Sequence, residues 1–111
     1  MENKTKKLLF DMLTAINNID SYIGDMKIFS EYDNNPMLQD AVERNIEIIG
    51  KAMNKLLKIE PKIKISNTRR IVDARNIIMH GYDEIENAQV WEIIINHLPT
   101  LKQEVKQYLE E

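Results

Sequence analysis

Residues 36–57, PMLQDAVERNIEIIGKAMNKLL, contain the longest uninterrupted helical pattern of the sequence. Their apolar side chains recur at helical spacing and form one stripe: Leu38, Val42, Ile46, Ile49, Met53 and Leu56. This spacing predicts an amphipathic helix that buries one face. Asn35 is a candidate N-cap, and Pro36 suits the first helical position. Gly50 costs a helix roughly 1 kcal/mol relative to alanine, so we expect it to permit close packing against a neighbour.

The segment before this helix repeats the same periodicity. Residues 4 to about 30 carry a second apolar stripe: Leu8, Leu9, Met12, Ile16, Ile19, Ile23 and Met26. The stripe predicts one amphipathic helix, and the polar residues 32–36 then form a turn. Residues 58–65, after the central helix, are predicted to be a loop or a frayed extension of it.

Two more helical regions follow the loop. Ser66 or Asn67 can cap a helix that ends near His80, and Gly81 can terminate it in the left-handed conformation. The last region carries Val90, Trp91, Ile94, Leu98, Leu101, Val105 and Leu109. Pro99 interrupts this region, so we expect a kink or a break there. No segment alternates convincingly as a strand, and the pattern predicts an all-α bundle of four or five helices.

Composition narrows the class of protein. The 111 residues suit one domain, 1–111, and contain only three glycines and three prolines, which favours long helices. The chain has no cysteine, which excludes disulfides and thiolate metal sites and fits a reducing compartment. No apolar run approaches the roughly 18 residues of a membrane span, and the N-terminus does not resemble a signal peptide. We therefore expect a cytoplasmic protein with no membrane association.

The charge of the chain is uneven. Net charge is −3 overall, yet residues 51–75 hold eight basic and two acidic residues. The basic residues of this block include Lys51, Arg69 and Arg70, which are candidates for binding phosphate. A basic segment can guide a nucleic-acid backbone, although a solvated helix face would have the same composition.

The basic block leads into Arg75-Asn76-Ile77-Ile78-Met79-His80-Gly81-Tyr82. Arg75 lies in the middle of an apolar helical stripe, where a charge must pair or face a ligand. His80 follows about 140° around the helix and roughly 7.5 Å along it, and Asn76, one turn earlier, could orient its imidazole. Arg75 could reach round the helix end to meet His80. Alternatively, and in our preferred interpretation, two chains pair about a twofold axis and each cleft uses groups from both.

These side chains suffice for cutting RNA without a metal. RNA carries its own nucleophile, the 2′-hydroxyl, and histidine can move protons at neutral pH. Arginine makes bidentate contacts with phosphate. The two histidines of a dimer could serve as base and acid, so neither a metal nor another cofactor is expected. A simpler interpretation is that His80 caps the helix, that Tyr82 and Trp91 are core residues, and that His97 is structural or on the surface.

The chain resembles the HepT-like branch of the HEPN domain superfamily over nearly its full length. The resemblance rests on a first helix at Leu8 to Ile23, on residues 40–50 (DAVERNIEIIG), on Arg75-x4-His80-x-Tyr82 with Asn76, and on Val90-Trp91 followed by Leu98-Pro99-x-Leu101. It implies a dimeric helical bundle, the toxin of a toxin–antitoxin pair, with metal-independent endoribonuclease activity. Arg75 and His80 would be catalytic and Asn76 supporting. The implied antitoxin is an MntA-like nucleotidyltransferase that transfers AMP from ATP to Tyr82, adding bulk and negative charge near His80.

Two positions depart from the family pattern. Lys51 stands where the family commonly has glutamate, and residues 65–70 lack the proline and tryptophan that often precede the third helix. The lysine could strengthen phosphate binding or mark the loss of a catalytic helper. Two further hypotheses therefore stay open: a non-catalytic module that binds a nucleotide or a partner, and a helical dimer that only holds a nucleotidyltransferase.

Overall fold

A computed structural model describes residues 2–80 and 85–111 of the chain, and they form a helical bundle. Its α-helices are α1 (Asn3–Ile23), α2 (Phe29–Asp33), α3 (Pro36–Ile59), α4 (Thr68–His80), α5 (Asn87–Glu92) and α6 (Leu98–Glu110). A π-helical turn, Ile93–His97, joins α5 to α6. The described residues contain no strand, as the all-α prediction requires.

The central helix α3 packs between α1 and α4, and α6 packs on α1. The predicted stripe of α3 is buried from Val42 to Leu56, while Leu38 is partly buried at its start. Asn35 caps α3 as predicted, because its Oδ1 accepts a hydrogen bond of 3.1 Å from the N–H of Leu38. Since each apolar face is buried against a neighbour, the packing of α1, α3 and α4 fixes the position of the side chains of α4.

The prediction of one helix from residue 4 to about 30 is wrong at its C-terminal end. α1 ends at Ile23, and Gly24 follows with a φ of 78°, in the positive region that glycine adopts without strain. Met26, counted in the predicted stripe, is 80% exposed. The turn predicted at residues 32–36 is present but shorter, because the short helix α2, Phe29–Asp33, includes its first two residues.

The connection to α4 agrees with the predicted loop and start. α4 begins at Thr68, directly after Asn67, which has a φ of 59°. The Ser66 N–H and hydroxyl donate to the Glu104 carboxylate at 3.1–3.2 Å, which ties the loop to α6. The predicted role of Gly81 as terminator falls outside the described residues.

Pro99 disturbs the last helical region one turn before its own position. The π-helical turn ends at His97, two residues before the proline. Proline has no N–H to donate to the carbonyl four residues earlier, so the regular hydrogen-bond ladder cannot continue unchanged. The expected interruption is therefore present as a wider turn. Over residues 2–80 and 85–111, none of the helices has the length and apolar character needed to cross a membrane.

Gly50 permits close contact between α3 and α4, as predicted. A methyl group at this position would fall on Arg75 Cβ, lie 2.7 Å from Arg75 Cγ and lie 3.2 Å from the Ile71 carbonyl oxygen. These atoms belong to the stem of a side chain and to the backbone, so displacing them would cost free energy of folding. Gly50 thus fixes where Arg75 leaves α4.

We expect Gly50→Ala to destabilise the fold although alanine favours helices. The overlap with Arg75 would force α3 and α4 apart, at a net cost of about 1–2 kcal/mol. Thermal unfolding followed by circular dichroism should show a melting temperature lowered on the order of 5–10 °C. Gln103→Ala, on the exposed face of α6, is the control for placing an alanine in a helix where it overlaps no neighbour. A Gly50→Ala protein at least as stable as this control would show that the contact is unimportant.

Candidate functional site

A groove of about 380 Å³ runs along the surface formed by α1, α3 and α4. Four basic and two acidic side chains line it beside apolar ones, and the lining residues are Leu8, Asp11, Arg44, Glu47, Ile48, Lys51, Ala52, Lys55, Arg75 and Met79. A basic groove of this kind attracts anions, because its low-dielectric walls concentrate the field of the charges.

Arg75 is the charged residue that α4 contributes to this groove. Its Nη1 donates a hydrogen bond of 3.0 Å to Asn76 Oδ1, so the neighbouring amide helps to hold the guanidinium. Its Nε is buried and has no hydrogen-bond partner among the described residues. A buried donor without a partner is costly, and an anion bound in the groove could accept from the same guanidinium.

Lys51 and Arg75 are the two predicted site residues that line this groove. Lys51 follows Gly50 on α3, and Arg75 packs on Gly50 from α4. Sequence reasoning did not assign Lys55 to the site, although it also lines the groove. The sequence spacing could have identified Lys55, because it lies four residues after Lys51 and therefore on the same face of the helix.

His80 is the last residue of α4 and is exposed to solvent. It does not belong to the lining of the groove that holds Arg75. One chain therefore places Arg75 in the groove and the imidazole at the end of the helix. Tyr82, the predicted modification site, lies outside the described residues.

Arg69 and Arg70 lie away from the groove. Arg69 pairs with Asp73 at 3.5 Å on the exposed side of α4, and Arg70 pairs with Glu92 of α5. Both arginines therefore have a carboxylate partner, whereas Lys51 forms no ion pair with any residue that the structure describes. Where the structure describes the chain, no cluster of three or more histidine, aspartate or glutamate side chains is arranged to hold a metal ion.

A second cleft, of about 710 Å³, is lined by residues of α2, α3, α4 and the start of α5, including Glu43. Burial raises the pKa of Glu43 above its ordinary value, and the neighbouring charge of Asp40 raises it further.

The Tyr32 hydroxyl is buried without a hydrogen-bond partner among the described residues, and this burial raises its pKa. Trp91 is half-buried, and its ring lies 5.7 Å from the rings of Phe29 and Tyr32. His97 lies in the π-helical turn with its side chain mostly buried, and its Nε2 is 3.5 Å from the Glu92 carboxylate.

The structure thus describes an all-α bundle protein with an arginine-bearing groove and, at the end of the same helix, an exposed histidine. The family described as ribonuclease HepT-like matches residues 12–108. The match covers most of the sequence, so this chain belongs to the HepT-like family.

Three relatives from Methanocaldococcus jannaschii have similar sequences. "Putative RNase MJ1380" is 32% identical, over 91% of this chain and 93% of its own length. "Putative RNase MJ0125" is 28% identical, over 96% of this chain and 91% of its own length. "Gamma-glutamylcyclotransferase and putative RNase MJ0434" is 30% identical over all of this chain, which matches 50% of that longer protein. No solved structure matches the chain significantly.

Proposed function

We propose that this chain is an endoribonuclease toxin whose active cleft forms between two copies of the chain. The observation that carries the proposal is the position of Arg75, whose guanidinium lines a basic groove and whose buried Nε has no hydrogen-bond partner among the described residues. Membership of the HepT-like family and the RNase names of the relatives support the same reaction class.

The proposed reaction uses the 2′-hydroxyl of RNA as the nucleophile. A base removes its proton, the 2′-oxygen attacks phosphorus, and the P–O5′ bond breaks as an acid protonates the leaving 5′-oxygen. His80 is the proposed proton-transfer group, and Arg75 stabilises the charge that develops on the phosphorane. The products are a 2′,3′-cyclic phosphate and a 5′-hydroxyl, and none of these steps calls for a metal.

Pairing of two chains is proposed because one chain does not place His80 in the groove of Arg75. A second copy related by a twofold axis could bring its own α4 end to that groove. Two histidines would then be available in the dimer for the roles of base and acid. Light scattering coupled to size-exclusion chromatography should give the mass of a dimer, and a stable monomer with full activity would overturn this arrangement.

The decisive experiment is cleavage of a labelled single-stranded RNA by the purified protein, with and without EDTA. We expect the rate to be the same in both, and the 5′ fragments to end in a cyclic phosphate. Loss of activity with EDTA, or fragments that carry a 5′-phosphate, would contradict the proposed mechanism. RNA that stays uncut under all conditions would contradict the nuclease itself.

We further propose that a nucleotidyltransferase antitoxin neutralises the toxin by transferring AMP from ATP to Tyr82. An AMP group two residues from His80 would add bulk and negative charge where the RNA phosphate binds. Because the reaction consumes ATP, the cytoplasm is the proposed compartment.

Incubation with an MntA-like nucleotidyltransferase and ATP is expected to add one or more AMP masses to the chain and to abolish RNA cleavage. Tyr82→Phe should prevent both effects, while Tyr22→Phe, an exposed tyrosine on α1, should prevent neither. Mass spectrometry and the cleavage assay report the two outcomes separately. AMP transfer to Tyr82→Phe at the wild-type rate would show that another residue is modified.

A second candidate function is a module that binds RNA or a nucleotide without cutting it. The presence of Lys51 in the groove favours it, because a basic residue there strengthens phosphate binding without supplying a proton-transfer group. RNA binding by the wild-type protein with no cleavage would select this candidate.

A further inference from the structure

The groove that holds Arg75 continues along α3 past two lysines. We propose that Lys51 and Lys55 bind successive phosphates of the RNA strand next to the cleaved bond, so that the groove positions a strand longer than the scissile dinucleotide. This inference rests on the proposed RNA substrate, and it identifies the part of the substrate that the groove recognises.

The spacing of the two lysines suits an extended strand. Lys51 and Lys55 lie one turn apart on α3, which separates their backbone positions by roughly 6 Å along the helix axis. Both side chains are exposed, and both line the groove together with Arg75. An anion in contact with Arg75 would therefore have two further cations beside it along the same wall.

The charges of these residues are not neutralised within the described part of the chain. The two acidic groups of the groove have other partners: Asp11 pairs with Lys7 at 2.5 Å, and Glu47 lies 3.9 Å from Arg44. Residues 2–80 and 85–111 contain no ion pair to Lys51, Lys55 or Arg75. Three positive charges thus share one groove without a matching carboxylate, which favours binding of a polyanion.

The lysines position the strand, and a different residue transfers the protons. The lysines hold the strand and therefore act on affinity and on KM, whereas the proton transfer assigned to His80 acts on kcat. A dinucleotide should be a poor substrate, because it offers no phosphate to the lysines. Lengthening the strand on one side of the cleaved bond should lower KM until both lysines are occupied.

The test measures RNA affinity as a function of salt with the full-length protein. Fluorescence anisotropy with a labelled single-stranded RNA is performed in a His80→Ala background, so that the strand is not cut. The logarithm of the association constant falls with the logarithm of salt by about 0.7 for each phosphate that a cation contacts. Lys51→Ala and Lys55→Ala should each reduce this slope by about 0.7, and the double variant by about 1.4.

Lys106→Ala is the matched control, because Lys106 is an exposed lysine of α6 outside the groove. It should leave the slope unchanged. If neither Lys51→Ala nor Lys55→Ala reduces the salt slope of RNA binding, the proposed phosphate contacts of the two lysines are overturned, even if wild-type protein cleaves RNA. Displacement of the RNA by equimolar AMP would also overturn them, because a site for one free nucleotide would then explain the lysines.

The same measurements distinguish this inference from the proposed nuclease. Lysine-dependent binding of RNA that wild-type protein does not cleave would support the phosphate contacts of Lys51 and Lys55 and contradict the nuclease. Cleavage without lysine-dependent binding would support the nuclease and contradict the phosphate contacts. Absence of any RNA binding by wild type contradicts both.

Discussion

His80→Ala is expected to slow RNA cleavage by about 10²–10⁴-fold, the usual contribution of a general acid or base. His80 is exposed at the end of α4, so its removal should change the melting temperature little. RNA affinity should also change little, because the groove residues remain. The single-turnover rate constant at saturating protein isolates the chemical step from binding.

His97→Ala provides the control with the same substitution at the other histidine of the chain. The His97 side chain is 15% exposed in the π-helical turn and lies close to Glu92. Its removal should affect stability and should leave the single-turnover rate constant of the folded protein near that of wild type. A His80→Ala protein that cleaves at the wild-type rate would remove His80 from the mechanism.

The fold could be predicted where neighbouring residues determine it. The bounds of α3 follow from its stripe and from the cap at Asn35, and the close packing at Gly50 follows from a glycine in a helix interior. The end of α1 was missed because the apolar periodicity continues to Met26. The positive φ of Gly24 ends the helix despite that periodicity, and the sequence shows a glycine there without showing its φ.

The site was predictable to a smaller extent, because it depends on contacts between distant segments. The charge of Arg75 within an apolar stripe predicted that it pairs or faces a partner or a ligand, and in the structure it lines a groove together with Lys51. Composition could not show that Lys51 lines the groove whereas Arg70 pairs with Glu92. That difference arises because the fold brings α4 beside Glu92 of α5, 22 residues further along the chain, and no local pattern encodes it. Whether His80 reaches the groove depends on a second chain, so it stays a prediction.

Arg75→Ala is expected to lower the rate of RNA cleavage by about 10²–10³-fold, as for removal of a donor that stabilises transition-state charge. The loss should exceed the loss of RNA affinity, because the guanidinium is proposed to act on the phosphorane more than on the bound strand. Arg75→Lys separates charge from geometry. Lysine restores the positive charge but has no Nε and no planar pair of donors, so it should recover binding better than kcat.

The packing at Gly50 allows Arg75→Lys to test the head group of the side chain without disturbing the helix contact. Gly50 meets the Cβ and Cγ of Arg75, which lysine also has, so Arg75→Lys keeps the contact between α3 and α4 while it changes the head group. Arg69→Ala, on the exposed side of the same helix, measures the effect of losing a guanidinium outside the groove, and its kcat should stay near that of wild type. If Arg75→Lys cleaves as fast as wild type, positive charge alone suffices. The buried Nε would then have no catalytic role, and Gly50 would serve only to let two helices approach.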